Sequence, residues 1–147
     1  ACGYRAIESL RLEKGYRAWA GEINTETNPY EAGLGFAVSL KKENFHGKAA
    51  AVAAQANLTR KLVAITFDDI TCVPFGSEPV RIGEKIVGRI KSGGQGYTIK
   101  KAIAYAYLPI TQTEVGTKVD VEFFGTWRSG VICAEPLFDP SNERIRL

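Results

Sequence analysis

The side chains best suited to chemistry are few and widely spaced. His46 is the only histidine, so a histidine-based metal site has no second imidazole to build on. Cys2, Cys72 and Cys133 are odd in number and lack CxxC spacing, which fits reduced thiols rather than a disulfide framework. Cys72 and Cys133 fall in apolar, strand-like surroundings, where thiols are usually inert. Asp68 and Asp69 are adjacent, so an extended chain sends them to opposite faces, and a turn suits them better than a proton-sharing pair. Ser92-Gly93-Gly94-Gln95-Gly96-Tyr97 is glycine-rich enough to turn backbone N–H groups toward an anion. It lacks the lysine and following helix of a phosphate-binding loop, and we expect a turn that permits close backbone packing. No Ser-His-Asp set or metal constellation is visible, and no residue is assigned a catalytic role. Glu13 lies among Arg11, Lys14 and Arg17, where an ion pair is expected.

Three residues are better suited to binding than to bond-making. Phe36 alternates with Leu34 and Val38, the pattern of a core side chain on a strand. Tyr30 follows the restricted Asn28-Pro29 step, which either anchors a loop or aims the phenol at a ligand. Arg144 near the chain's end offers a planar fork able to hold a carboxylate through two hydrogen bonds, or it is a solvated tail residue.

The elements that must position these groups are legible in outline. Residues 4 to 14 place Tyr4, Ile7, Leu10 and Arg11 at helical spacings, with Gly15 as the stop. Residues 20 to 33, rich in Gly, Asn, Thr and Pro, read as a loop. The alternation of Leu34, Phe36, Val38 and Leu40 with Gly35, Ala37 and Ser39 predicts a strand. The alanine-dominated stretch from Lys48 to Leu58 predicts a helix. Short strands follow: Leu62 to Phe67, Val80 to Ile82, Lys85 to Ile90, Lys101 to Leu108, Val119 to Phe124 and Trp127 to Ala134. Gly83-Glu84 gives a two-residue hairpin signal. The fold class is α+β, a short lead-in over 1–58 followed by a small antiparallel β-barrel or jelly-roll-like domain over 59–147.

Composition sets the outer bounds. The 147 residues, 45% hydrophobic and 24% charged, suffice for one ordinary core. The 19 basic residues are interspersed with 16 acidic ones, for a net charge of +3, a weak signal for an anionic partner. The densest basic run, Arg5, Arg11, Lys14 and Arg17, is interrupted by Glu8 and Glu13, and we expect a solvated face rather than a nucleic-acid surface. No apolar run reaches the length of a membrane span, and neither membrane insertion nor secretion is expected. The sequence contains no methionine, which leads us to expect a piece of a longer protein.

Taken in order, several stretches resemble one family. They are Gly3-Tyr4-Arg5-Ala6-Ile7-Glu8-Ser9-Leu10-Arg11-Leu12-Glu13-Lys14-Gly15-Tyr16, Asn28-Pro29-Tyr30-Glu31-Ala32-Gly33-Leu34-Gly35-Phe36 and Phe45-His46-Gly47-Lys48. Downstream come Gly76-Ser77-Glu78-Pro79-Val80, Ala104-Tyr105-Ala106-Tyr107-Leu108-Pro109 and Pro136-Leu137-Phe138-Asp139-Pro140. The series is similar to the second half of the glycine-cleavage T-protein, or aminomethyltransferase, fold and covers essentially the whole chain. Arg11 to Trp19 is more similar to the folate-domain tails of sarcosine and dimethylglycine dehydrogenases or oxidases. Ile7 stands where aminomethyltransferases carry an arginine near folate.

The resemblance implies a domain that holds tetrahydrofolate in a central cavity and passes it a one-carbon unit released from a small methylated amine. It implies that the catalytic aspartate and the pterin-binding glutamate lie upstream of residue 1, and that FAD belongs to another part of a dehydrogenase-like parent. It makes Phe36, Tyr30 and Arg144 candidate folate contacts, Phe36 as an aromatic wall for a flat ring, with a core role still open. This chain is expected to pack against the preceding part of the parent, in a bacterial cytoplasm or a mitochondrial matrix, and to be inactive alone. The alternatives are a stand-alone aminomethyltransferase or folate-dependent demethylase, and, from another class, a non-catalytic barrel that docks on protein or RNA.

Overall fold

The computed structural model describes residues 2–144 and 146. Six strands, β1 (Arg60–Phe67), β2 (Pro79–Ile82), β3 (Lys85–Gly96), β4 (Lys101–Pro109), β5 (Lys118–Phe123) and β6 (Thr126–Cys133), close into a barrel in the order β1-β4-β3-β2-β5-β6. Every pairing is antiparallel. The expected barrel is present, and closure leaves no free sheet edge.

Side-chain size explains why β4 is buried on both faces. Ala102, Ala104 and Ala106 point inward, small enough for a narrow barrel already filled by Val63, Ile65, Phe67, Val80, Ile90, Val119, Val121 and Ile132. The alternate residues Ile103, Tyr105 and Tyr107 point outward and pack with Leu12, Leu62 and Ala64. The lead-in therefore covers β1 and β4 from outside. The phenols of Tyr105 and Tyr107 donate to the Leu12 carbonyl at 2.9 Å and the Glu22 carbonyl at 3.0 Å, so each ring buries area without stranding its hydroxyl.

Helix α1 (Tyr4–Lys14) ends at Gly15, whose left-handed φ of 70° turns the chain so that the Tyr16 N–H reaches back to the Arg11 carbonyl at 2.9 Å. Its orientation departs from simple amphipathicity. Tyr4, Ile7 and Leu10 are exposed, while Ser9, Leu12 and Glu13 face the barrel. Ser9 donates to the Gln95 carbonyl at 2.5 Å. The Glu13 carboxylate accepts the Thr98 and Ile99 N–H groups at 2.7 and 3.2 Å, so it caps the β3–β4 turn instead of joining the expected ion pair with its basic neighbours.

Two further expectations are corrected. Residues 34–40 form no strand; Gly35–Ala37 is a single 3-10 turn. The Leu34 N–H is taken by Pro29, and those of Ala37 and Val38 by Leu34 and Gly35, so local turns satisfy the backbone that a strand would have to pair elsewhere. Ser92–Gly96 is not a turn but the second half of β3, paired with Lys101–Tyr105 of β4. Close packing is nevertheless its role: a Cβ built at Gly93 would run into the Pro74 carbonyl oxygen, and one at Gly94 would lie 2.5 Å from Leu12 Cδ1. Helix α2 (Lys48–Ala56) forms as expected but has no buried residue.

Candidate functional site

Three members of the lead-in's basic run, Arg11, Lys14 and Arg17, are spent in ion pairs rather than forming a solvated face, while Arg5 is exposed. Arg11 bonds both carboxylate oxygens of Glu22 at 2.8 Å and also pairs with Glu8. Glu22 additionally accepts the Ala18 N–H at 2.8 Å and the Ser92 hydroxyl. Burial alone would raise its pKa, but these bonds outweigh burial and hold the carboxyl below the usual range. Lys14 bonds the carbonyl and carboxylate of Asp139 at 2.6 and 3.1 Å. These bonds fix the end of α1 to the chain's C-terminal stretch.

Just beyond that helix end lies a cleft of about 450 Å³, lined by Lys14, Tyr16, Arg17, Leu34, Phe36 and Glu135 among others. Arg17 donates from Nε to the Ala32 carbonyl at 3.0 Å, from Nη1 to the Gly15 carbonyl at 2.8 Å, and from Nη2 to Glu135 Oε2 at 2.5 Å. Its guanidinium also lies 5.1 Å from the Tyr105 ring centroid. Burial pushes the Glu135 carboxyl above its ordinary value, opposed by the charge of Arg17. Its Oε1 is buried without a hydrogen-bond partner among the described residues.

Phe36 sits in this cleft with 87% of its surface exposed, so it is not the core residue its alternation suggested. A large aromatic ring left open beside a concave surface can stack a flat heterocycle, and the cleft volume falls within the range of small-molecule sites. Tyr30 lies behind the same loop: a Cβ on Gly35 would fall 2.9 Å from its ring, and its hydroxyl is buried without a partner among the described residues. Arg144 stacks its guanidinium 5.1 Å from the Phe138 ring centroid and does not line the cleft. The structure thus brings Phe36 and Tyr30 into one loop and leaves Arg144 on the tail.

Arg17 and Glu135 are the cleft residues that sequence reasoning missed as a pair. Arg17 stood out only as part of the basic run, and nothing in the spacing links it to a glutamate 118 positions away. The other chemical candidates are structural. Asp69 accepts the Thr71 N–H at 2.9 Å, Asp68 pairs with Lys101 at 2.8 Å, and burial raises the Cys72 thiol. Among the described residues no group of three or more His, Cys, Asp or Glu could hold a metal ion, and no helix is long and apolar enough to cross a membrane.

A closed six-stranded barrel clasped by a helical lead-in, with an aromatic-edged cleft at their junction, defines the tail of a T-protein-type fold. The chain belongs to the glycine cleavage T-protein C-terminal barrel domain family, whose model matches residues 60–139, and the GCVT N-terminal domain model matches residues 1–42. It is 41% identical to dimethylglycine dehydrogenase, mitochondrial, of Rattus norvegicus over 99% of this chain and 17% of that protein. It is 38% identical to an aminomethyltransferase of Symbiobacterium thermophilum, over 97% of this chain and 38% of that protein. The crystal structure of glycine cleavage system aminomethyltransferase T from Bartonella henselae matches with a TM-score of 0.84 at 26% identity, over 92% of this chain and 38% of that one. The chain therefore spans well under half the length of the relatives it matches.

Proposed function

We propose that the chain supplies one wall of a tetrahydrofolate site in a one-carbon enzyme, as the closing part of a flavin-dependent sarcosine or dimethylglycine dehydrogenase-like protein. The observation that carries this reading is Phe36, exposed in a cleft lined by Arg17 and Glu135, in a chain of this family. Phe36 stacks the folate ring system, Tyr30 braces the loop that presents it, and Arg144 is the candidate fork for a folate carboxylate. Tetrahydrofolate supplies the nucleophilic nitrogen that captures the carbon released from a methylated amine. FAD, the reactive carboxylate and the amine site belong to polypeptide outside these residues. Residues 1–58 are the end of the folate-binding domain and 59–147 the barrel domain.

The exposed Tyr4, Ile7 and Leu10 of α1, together with α2, which buries no side chain here, form the surface that packs on the rest of the protein. The mitochondrial dehydrogenases and bacterial aminomethyltransferases among the relatives favour a mitochondrial matrix or a bacterial cytoplasm. The ion pairing of Arg11, Lys14 and Arg17 weighs against the RNA-binding alternative, because a cation already held by a carboxylate must give up that partner before it can neutralise a phosphate.

Calorimetry on the full-length product of the reading frame tests the assignment. Phe36→Ala should weaken tetrahydrofolate binding by about 1–3 kcal/mol, the usual loss for an aromatic anchor; unchanged affinity would remove Phe36 from the site. The 147-residue chain alone should show no turnover, and methylene-tetrahydrofolate formed by it would contradict the placement of the reactive carboxylate elsewhere.

A further inference from the structure

We propose that Arg17 is a positioning residue of this cleft: its guanidinium ties Gly15 at the end of α1, Ala32 in the Phe36 loop and Glu135 beyond β6 into one frame that holds the Phe36 ring where a ligand meets it. The inference rests on the reading of the cleft as a folate site.

Only 7% of the Arg17 side chain is exposed. Its Nε, Nη1 and Nη2 are each engaged by a protein acceptor, and its flat face is covered by Tyr105. A guanidinium so fully occupied acts on a ligand through the residues it holds. The loop that carries Phe36 has two kinds of restraint. On the barrel side, the Leu62 N–H donates to the Glu31 carbonyl at 2.8 Å and Arg60 pairs with the Glu31 carboxylate at 3.0 Å. From Leu34 to Val38 its backbone bonds run within the loop itself, to Pro29, Leu34 and Gly35. Between these, the bond from Arg17 Nε to Ala32 links the loop across the cleft to Glu135.

A lysine at position 17 could keep a charge opposite Glu135 but could not offer a rigid fork to Gly15, Ala32 and Glu135 at once. The barrel-side restraints on Glu31 remain when Arg17 is lost, so the loop should stay attached while the segment that carries Phe36 loses its fixed position against the cleft. Pre-organisation of an anchor is read as affinity.

The test uses the full-length product with tetrahydrofolate as probe, comparing the affinities of wild type, Arg17→Ala, Arg17→Lys and Phe36→Ala, with 4-fluorophenylalanine at position 36 as a fluorine reporter in the first three. Both Arg17 variants should bind about tenfold more weakly, and the fluorine resonance should shift and broaden. Added methylguanidinium should restore the affinity and the resonance of Arg17→Ala while leaving Phe36→Ala unrescued, an outcome that a general loss of stability would not produce. Wild-type affinity in Arg17→Ala, or an unmoved fluorine resonance, would overturn the proposal. If Phe36→Ala loses no affinity, the folate reading fails, and the fluorine response to Arg17 still decides whether Arg17 positions the ring. Should Arg17→Ala not fold, Arg17→Lys carries the same comparison.

Discussion

Two glutamates beside the same helix end, Glu22 buried and Glu135 partly buried, respond to pH with opposite sign. Glu22 is 1% exposed and its carboxylate meets Arg11, the Ala18 N–H and the Ser92 hydroxyl. Its lowered pKa means that its stabilising contribution is present above the unfolded carboxylate value of about 4.3 and is lost as pH falls through the folded value. Glu135 is raised by burial, so its contribution is fullest below that unfolded value and is lost as pH rises through the folded one. Denaturant unfolding between about pH 3 and pH 7 separates the two. Glu22→Gln should flatten the acid loss of stability and Glu135→Gln should remove an opposing slope. At neutral pH, Glu22→Gln should also cost about 1.5–3 kcal/mol, because Arg11 loses its two-oxygen partner and keeps only Glu8 as a counter-charge; a cost under about 1 kcal/mol would show that water already screens the pair. Glu22 was invisible as a structural residue in the sequence, since its partners at Arg11 and Ser92 lie 11 and 70 positions away.

Elements were legible where the pattern reported on burial and obscure where a distant partner decided. β4 could be read from its alternation of alanine with Ile103, Tyr105 and Tyr107, because small and large residues on the two faces match a tight barrel inside and a covered surface outside. The run from Leu34 to Leu40 shows the same alternation and folds as turns, since the loop from Pro29 onward supplies the partners for its N–H groups. The tilt of α1 was equally hidden: Ser9 and Glu13 turn inward to reach backbone groups at Gln95, Thr98 and Ile99. The glycines of β3 test the packing half of the sequence reading. Gly93→Ala places a methyl against the Pro74 carbonyl, a backbone neighbour that cannot rotate aside, and should cost about 1–3 kcal/mol. A thermal midpoint equal to wild type would mean that the 72–75 loop yields freely.

At the scale of the whole molecule, the barrel is complete in itself while the lead-in presents apolar surface outward. Tyr4 is 77% exposed and Ile7 and Leu10 are 54% and 55% exposed on one helix, and the nine residues of α2 bury none of their side chains. A helix that short is marginal without a packed face. In hydrogen exchange, the α2 amides should exchange rapidly in the 147-residue chain and become protected in the full-length product. Equal exchange in both would deny that this face is covered. The family was legible from ordered motifs, and Phe36 stood out as a candidate contact from its place within one of them. The Arg17–Glu135 frame became visible only when the fold brought the two ends of the chain together.

The central claim, that Phe36 forms a wall of the folate site, is tested most directly by nuclear Overhauser contacts between bound tetrahydrofolate and the Phe36 ring in the full-length product. The account predicts contacts from the pterin or aminobenzoyl protons to that ring, assigned by their loss in Phe36→Ala. Folate bound with contacts only to other aromatic rings, or no folate binding at all, would contradict it.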